Sequence, residues 1–232
     1  MDREKGLPLP GIESQPSDPT RLACCASLVA QPINYRVAKR CLDFVGAAIL
    51  LIIFFPLFFL LTLLVRFSSP GPIFYRSNRV GVCGTLFPFV KFRTMYVDAD
   101  RRLGELQHRN EKDGPIFKIK DDPRITPVGK FMRKFSLDEL PQLISVLNGD
   151  MSLVGPRPPI PHEVEQYDEE TKRRLTVKPG MTCYWQISGR SNLTFEEWMA
   201  MDRKYIDEMS FGVDLMILLK TPLAVIKGDG AY

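Results

Sequence analysis

Two adjacent carboxylates, Asp138 and Glu139, lie within the densest local signal of the chain, the run RKFSLDELPQLISVLNGD from Arg133 to Asp150. Side-chain carboxylates can serve as nucleophiles, and a pair of them invites a divalent cation. Leu140, Leu143, Ile144 and Leu147 recur at helical spacing, and Asn148-Gly149 supplies a stop, so the run predicts a helix. Its start is open between two readings. Ser136 with Glu139 makes a capping box, but then Pro141 falls inside the helix and loses a bond. Asp138 as N-cap puts Pro141 at the third helical position, where its missing N–H costs nothing. The second reading predicts an ionised Asp138 at the positive end of a helix, an end that also attracts phosphate. Plain capping without chemistry stays open as an account of both acids.

Cations are spaced around this run. Arg133 opens it, and Arg157 follows it between Pro156, Pro158 and Pro159. A proline-stiffened backbone can fix a guanidinium for an anion. Arg190 follows a small turn, Ser188-Gly189, after a predicted strand from Met181 to Ile187. Short strands over Pro72–Tyr75 and Phe87–Phe92, joined by a turn at Gly81–Gly84, predict a hairpin that delivers Lys91 and Arg93. Asp98-Ala99-Asp100 imitates a metal-binding DxD, on a predicted helix from Asp98 to Gln107. Carboxylates two apart on a helix point to different faces, and the acid preference of a helix start explains them more simply.

The element that must position these groups is an uncharged segment. Phe44 to Val65 spans 22 residues, interrupted by Gly46, Pro56 and Thr62, which is membrane length. Arg36, Lys39 and Arg40 flank one end, and Arg66, Arg76 and Arg79 the other. Basic flanks on both sides favour the cytoplasm for both ends. Pro56 sits mid-segment, where it removes a bond and kinks the helix. Together they predict a bent, re-entrant helix. Beyond it, residues 66–134 carry a net charge of +8 and residues 135–232 a net of −5, a basic zone beside the membrane suited to phosphorylated ligands. Residues 163–174 predict a charged surface helix, and Phe195–Met209 an amphipathic helix with Trp198 and Tyr205. Asp214–Ile226 predicts an apolar segment for the membrane interface or the core.

Composition sets the remaining bounds. The chain has 232 residues, 45% hydrophobic and 25% charged, with a net charge of +4. That balance excludes a collagen or a multi-pass bundle, and the charge is too mild to argue for nucleic acid. Five cysteines with no CxxC and two histidines leave disulfide frameworks, zinc sites and His triads poorly supplied. Residues 1–34 hold five prolines and no periodicity, which predicts a loosely ordered extension.

Five ordered blocks carry a resemblance: KFRTM at 91–95, SLDELPQL at 136–143, GDMSLVGPRP at 149–158, KPGMTCYWQISGR at 178–190 and DLMILLKT at 214–221. Over about residues 35–230 the chain resembles the bacterial sugar transferases, the monotopic phosphoglycosyl transferases. The resemblance implies an α+β fold: a membrane-embedded re-entrant helix at 35–67 and a compact cytosolic catalytic domain at 68–232, with interfacial amphipathic helices. It implies transfer of a sugar 1-phosphate from a UDP-sugar, galactose or glucose and alternatively an N-acetylated sugar, to polyprenyl (undecaprenyl) phosphate. UMP is then released and exopolysaccharide or related glycan assembly begins. The family dyad falls on Asp138 and Glu139, with Asp138 as nucleophile and both as Mg2+ ligands. Lys91, Arg93, Arg133, Arg157 and Arg190 become phosphate ligands. The implied setting is the cytoplasmic face of the bacterial inner membrane, with a homodimer expected and no nucleic acid. Pro56 takes the family's helix break, although Phe55 stands where the family usually has serine. With only a short leader before the shared core, the chain resembles the short form. Without the resemblance, a metal-dependent glycosyltransferase using Asp98 and Asp100, or a non-catalytic anchored module, stays open.

Overall fold

The computed structural model describes residues 31–230. The predicted N-terminal extension lies outside the described residues as far as residue 30. The first element, α1 (Ile33–Ser68), is a single helix of 36 residues with Pro56 inside it, beginning two residues before the predicted span. It is long and apolar enough to cross a membrane. Its ends and its middle differ. Near its start Ala47 is buried, and near its finish Leu61 and Val65 pack with Phe92 and Met132 of the body. Between them Ile52 is 75% and Phe55 72% exposed. Both ends of one helix therefore dock on the same body, and between them one face, with Leu50, Leu51, Leu57 and Phe58, packs on it while Ile52 and Phe55 face away.

A hairpin follows, β1 (Phe74–Val80) and β2 (Leu86–Phe92), paired from Phe74 opposite Phe92 to Val80 opposite Leu86. Phe58 of α1 stacks against Phe74 and Phe92, with ring centroids 6.1 and 4.8 Å away. The helix predicted over 98–107 is shorter: 98–102 are turns and α2 covers only Leu103–Leu106. Helix α3 (Pro127–Lys134) starts at Thr126, whose hydroxyl accepts from the Gly129 N–H at 3.0 Å. Gly129 lies against the Thr94 carbonyl, where a Cβ would come within 2.0 Å, so only glycine fits. Helix α4 (Gln142–Asn148) ends on left-handed Gly149, as its sequence predicts.

Strand β3 (Ser152–Val154) leads into the proline loop. The predicted helix over 163–174 is instead two short pieces, α5 (Pro161–Glu165) and α6 (Glu169–Lys172), with Glu163 and Arg174 buried. Arg174 pairs with buried Asp202 at 2.8 Å, so these charges hold core and not surface. Strand β4 (Gly180–Thr182) runs parallel to β3 and stops early: Tyr184–Ser188 is helix α7, not strand. Trp185 turns inward there and stacks on Trp198 at 4.4 Å, so burial overrides strand preference. Helix α8 (Phe195–Glu208) opens on a Thr194–Glu197 capping box. Helix α9 (Phe211–Lys227) leaves Phe211, Leu215, Leu219, Leu223 and Ile226 exposed along it. The main core joins α1, α4, β3, α8 and α9 through Ala47, Leu143, Val146, Leu153, Tyr205 and Ile217.

Candidate active site

Arg133 lies in the last turn of α3. The chain then leaves the helix through Ser136, held left-handed at φ 52°, and forms a 3-10 turn, Leu137–Glu139. Glu139 N–H donates to the Ser136 carbonyl at 3.3 Å, and Leu140 N–H to Leu137 at 3.4 Å. Helix α4 begins only after this turn, with Pro141 as its N-cap. Asp138 is therefore not the N-cap, and neither capping reading of the sequence holds. The tight turn places the acids ahead of the helix, so their electrostatics come from side chains and not from a helix end.

Asp138 is buried at 6% exposure and lines a cavity of about 1180 Å3. The same cavity is lined by Lys91, Arg133, Glu139, Arg157 and Arg190, together with Lys118 and Arg79. Among the described residues, neither carboxylate makes a hydrogen bond or an ion pair. The cations are held from behind instead. Arg133 Nε donates to Thr94 Oγ1 at 2.9 Å, Arg79 to the Pro158 carbonyl at 3.2 Å, and Lys91 lies over the Tyr75 ring at 5.3 Å. A space thus remains between acids and cations, wide enough for a ligand that both groups could hold.

The electrostatics reflect that crowding. Burial, then the Arg133 guanidinium, pulls Lys91 down to about 8 against the pull of Asp138. Burial, then Arg157 and Arg133, pulls Lys118 down to about 7, with Glu139 opposing. Burial and then the Asp138 carboxylate push Glu139 up, with Arg157, Lys91 and Arg190 opposing. Like charges are held close with too little of the opposite sign between them, as at functional sites.

The proline loop gives Arg157 a fixed root. The Pro156 carbonyl accepts from Gly180 N–H at 2.8 Å, Arg157 from Arg174 Nη2 at 2.9 Å, and Pro159 from Val80 N–H at 2.9 Å. Each carbonyl is tied to a different element, so the backbone has little room to shift. Arg190 sits at φ 53°, a strained value for a side chain with a Cβ. Arg93 also lines this cavity, but its guanidinium is already engaged. Its guanidinium donates to the Val65, Ser69 and Pro70 carbonyls and caps the end of α1. Among the expected phosphate ligands, Arg93 is thus the one whose guanidinium is bound to backbone carbonyls. Pro56 lies in the exposed middle of α1 beside Phe55.

The donor set suits Mg2+, which keeps waters and takes one or two carboxylates plus ligand phosphates. Asp138 and Glu139 supply the carboxylates, and the upward push on Glu139 marks negative charge that a cation would offset. Among the described residues no group of three or more His, Cys, Asp or Glu gathers, so a self-contained metal cage is absent there. Asp98 and Asp100 are exposed on the turn before α2, and Asp100 also lines the cavity. Three cavity residues gave no local signal. Lys118 lies in an aperiodic loop, Arg79 reads only as a membrane flank, and Gln142, buried with its amide nitrogen unpartnered, reads only as a helix residue.

Fold and site together define a protein with a membrane-length helix docked on an α+β body, its cavity lined by two carboxylates and a cluster of cations. The chain belongs to the bacterial sugar transferase family, whose model matches residues 34–228. It is 48% identical over 199 residues to the galactosyl transferase CpsE of Streptococcus agalactiae, covering 85% of this chain and 44% of that protein. It is 45% identical to the undecaprenyl-phosphate galactose phosphotransferase of Salmonella typhimurium over 85% of this chain and 42% of that one. The exopolysaccharide production protein ExoY of Rhizobium meliloti is 42% identical over 84% of this chain and 88% of its own length. The chain thus spans under half of the first two relatives and most of the third.

Proposed function

We propose that this chain is a phosphoglycosyl transferase that moves a sugar 1-phosphate from a UDP-sugar, galactose or glucose, onto undecaprenyl phosphate to begin exopolysaccharide assembly. One observation carries the reading: the unpaired, buried Asp138 faces a cluster of cations in a cavity that Leu42, Gly46, Ile49 and Phe54 of the apolar α1 also line. A soluble phosphorylated donor and a lipid phosphate could both reach that space. The relatives' names, with galactosyl transfer and undecaprenyl phosphate in them, support the substrates.

The chemistry takes two displacements. An Asp138 carboxylate oxygen attacks the phosphorus bearing the sugar, and the bond between the two phosphates breaks to release UMP. An aspartyl phospho-sugar remains. An oxygen of the lipid phosphate then attacks the same phosphorus, the acyl-phosphate bond breaks, and Asp138 is regenerated. Arg133, Arg157 and Lys91 stabilise the phosphoryl oxygens through both steps. Asp138 and Glu139 would hold Mg2+, which would supply charge neutralisation when bound.

We read α1 as re-entrant, with the body on the cytoplasmic face of the inner membrane. The support is that both ends of α1 dock on one body and both carry basic flanks. Accessibility of tags placed at its two ends checks this, and labelling on opposite faces would refute it. For the reaction, UMP release is measured with a panel of UDP-galactose, UDP-glucose and their N-acetylated counterparts, with undecaprenyl phosphate as acceptor. Asp138→Asn abolishes release; near-normal release from that variant, or release of UDP in place of UMP, sinks the mechanism. Preference for an N-acetylated donor corrects the sugar and leaves the reaction standing.

A further inference from the structure

Lys118 sits in the segment 110–118, which no sequence motif marks. The backbone of Lys118 is fixed on both sides: its N–H donates to Asn110 Oδ1 at 2.9 Å, and its carbonyl accepts from Glu111 N–H at 2.9 Å. Asn110 Nδ2 also donates to the Ile116 carbonyl at 3.1 Å, closing the loop on itself. Buried Ile116 and Ile119 root the loop on either side of Lys118.

The loop docks on the turn that carries Arg190. Lys118 Nζ donates to Ser191 Oγ, Lys112 Nζ to the Leu193 carbonyl at 2.7 Å, and Phe195 N–H to Asp113 at 3.2 Å. Ser191 N–H in turn donates to the Gly230 carbonyl at 3.2 Å. The ammonium therefore has a fixed root and a fixed direction before any ligand arrives, which is what a binding group needs.

Its location differs from that of Lys91, although both line one cavity with Asp138 and Glu139. Lys91 is on β2, and the next residue, Phe92, packs on Leu61 and Val65 of α1. The Lys118 loop is polar, and its Asn110, Glu111, Asp113 and Lys120 are exposed to water. The strand of Lys91 thus adjoins the apolar helix through Phe92, while the loop of Lys118 has its polar outer residues in water, the side from which a soluble nucleotide arrives.

We propose that Lys118 is a ligand for the donor's diphosphate, engaging the nucleoside diphosphate from the water side of the cavity, and that it takes no part in holding the lipid phosphate. This rests on the phosphoglycosyl transferase reading above. The charges facing Lys118 agree with the assignment: Arg157 and Arg133 from the cavity wall and Lys112 from its own loop, with Glu139 in opposition. A polyanion there relieves repulsion among three neighbouring cations.

The test uses the full chain in nanodiscs, with UDP as the probe. Titration calorimetry gives UDP affinity without any turnover, and steady-state kinetics give separate KM values for UDP-sugar and undecaprenyl phosphate. Losing one charge-assisted contact predicts that Lys118→Met weakens UDP binding by about 10- to 100-fold. Lys118→Arg restores most of it, and the KM for the lipid is unchanged in both. If Lys118→Met lacks a cooperative melting transition, Lys118→Gln and the salt dependence of UDP binding replace it. Unchanged UDP affinity in a folded variant overturns the proposal. So does an equal rise in the lipid KM, or wild-type protein that does not bind UDP. Loss of UDP binding in the variant, with no UMP release even from wild type, would sink the reaction and leave Lys118 as a nucleoside diphosphate ligand.

Discussion

The molecule buries acidic side chains in two contrasting ways. Asp214, wholly buried in the first turn of α9, accepts from Lys39 at 2.9 Å, Tyr205 at 2.7 Å and Tyr35 at 3.0 Å. Lys39 also donates to the Val154 carbonyl at 3.0 Å, and nearby Asp43 accepts from Ser152 Oγ and Leu153 N–H, each at 2.9 Å. Arg40 adds bonds to the Val146 and Leu147 carbonyls at 2.7 Å. The start of α1 is thereby clasped to α4, β3 and α9 with its charges met. Asp138 and Glu139 are surrounded by more cations, yet neither carboxylate is bonded. Both line the open cavity, where their oxygens are left to solvent or to a ligand. The satisfied acids hold the long apolar helix to the body; the unbonded ones line the cavity.

The contrast predicts opposite failures. Asp138→Asn should cut turnover by about 10³-fold or more, as for other catalytic nucleophiles, while thermal unfolding stays within a few degrees of wild type. Asp214→Ala should do the reverse. It leaves half-buried Lys39 without its counter-charge and Tyr205 and Tyr35 without their acceptor, a loss of about 3 kcal/mol measurable by chemical denaturation in detergent. Residual folded Asp214→Ala should still release UMP. If Asp138→Asn unfolds the chain and Asp214→Ala does not, the two sites have been assigned the wrong way round.

Arg93 sharpens the boundary between the two kinds of site at a smaller scale. Its contacts to carbonyls at the end of α1 predict that Arg93→Met lowers stability by about 1.5–3 kcal/mol and leaves UDP affinity unchanged in calorimetry. A tenfold loss of UDP affinity with the fold intact would return Arg93 to the phosphate site.

Arg93 also shows where reading the sequence stops. Lys91 and Arg93 are two apart, which on a strand means one face. Both do line the one cavity, but Arg93 lies past the end of β2 and its guanidinium turns to the helix end. Asp138, Glu139, Arg133 and Arg157 were legible because each lies in a short run whose local pattern is distinctive. The apolar length of α1 and the Gly149 stop were legible for the same reason. The 3-10 turn before α4 was not, because a left-handed Ser136 leaves no mark beyond the residue itself. Lys118 was hidden because Asn110 holds it through contacts that no periodicity encodes. The buried Arg174–Asp202 pair looked like surface charge, since residue type records a charge and not its partner.

The smallest expected effect is a pH dependence, and it too separates the regions. In the folded chain Lys91 and Lys118 lose their protons at about 8 and about 7, against 10.5 for an ordinary lysine. Between about pH 7 and 10.5 the unfolded chain therefore holds protons that the folded chain has shed, so these two groups make stability rise with pH. Asp202, pushed up to about 6 by burial, contributes with the opposite sign, but only below that pH. UDP reverses the lysine contribution, because a bound polyanion favours their charged forms. Melting temperatures of ligand-free protein should rise from pH 7 to 9, the added stabilisation by UDP should shrink over the same range, and Lys118→Met should flatten both trends. Trends that survive in the Lys118→Met and Lys91→Met variants would place the titrating groups outside the cavity, and the unmet charge at Asp138 and Glu139 would lose its electrostatic account.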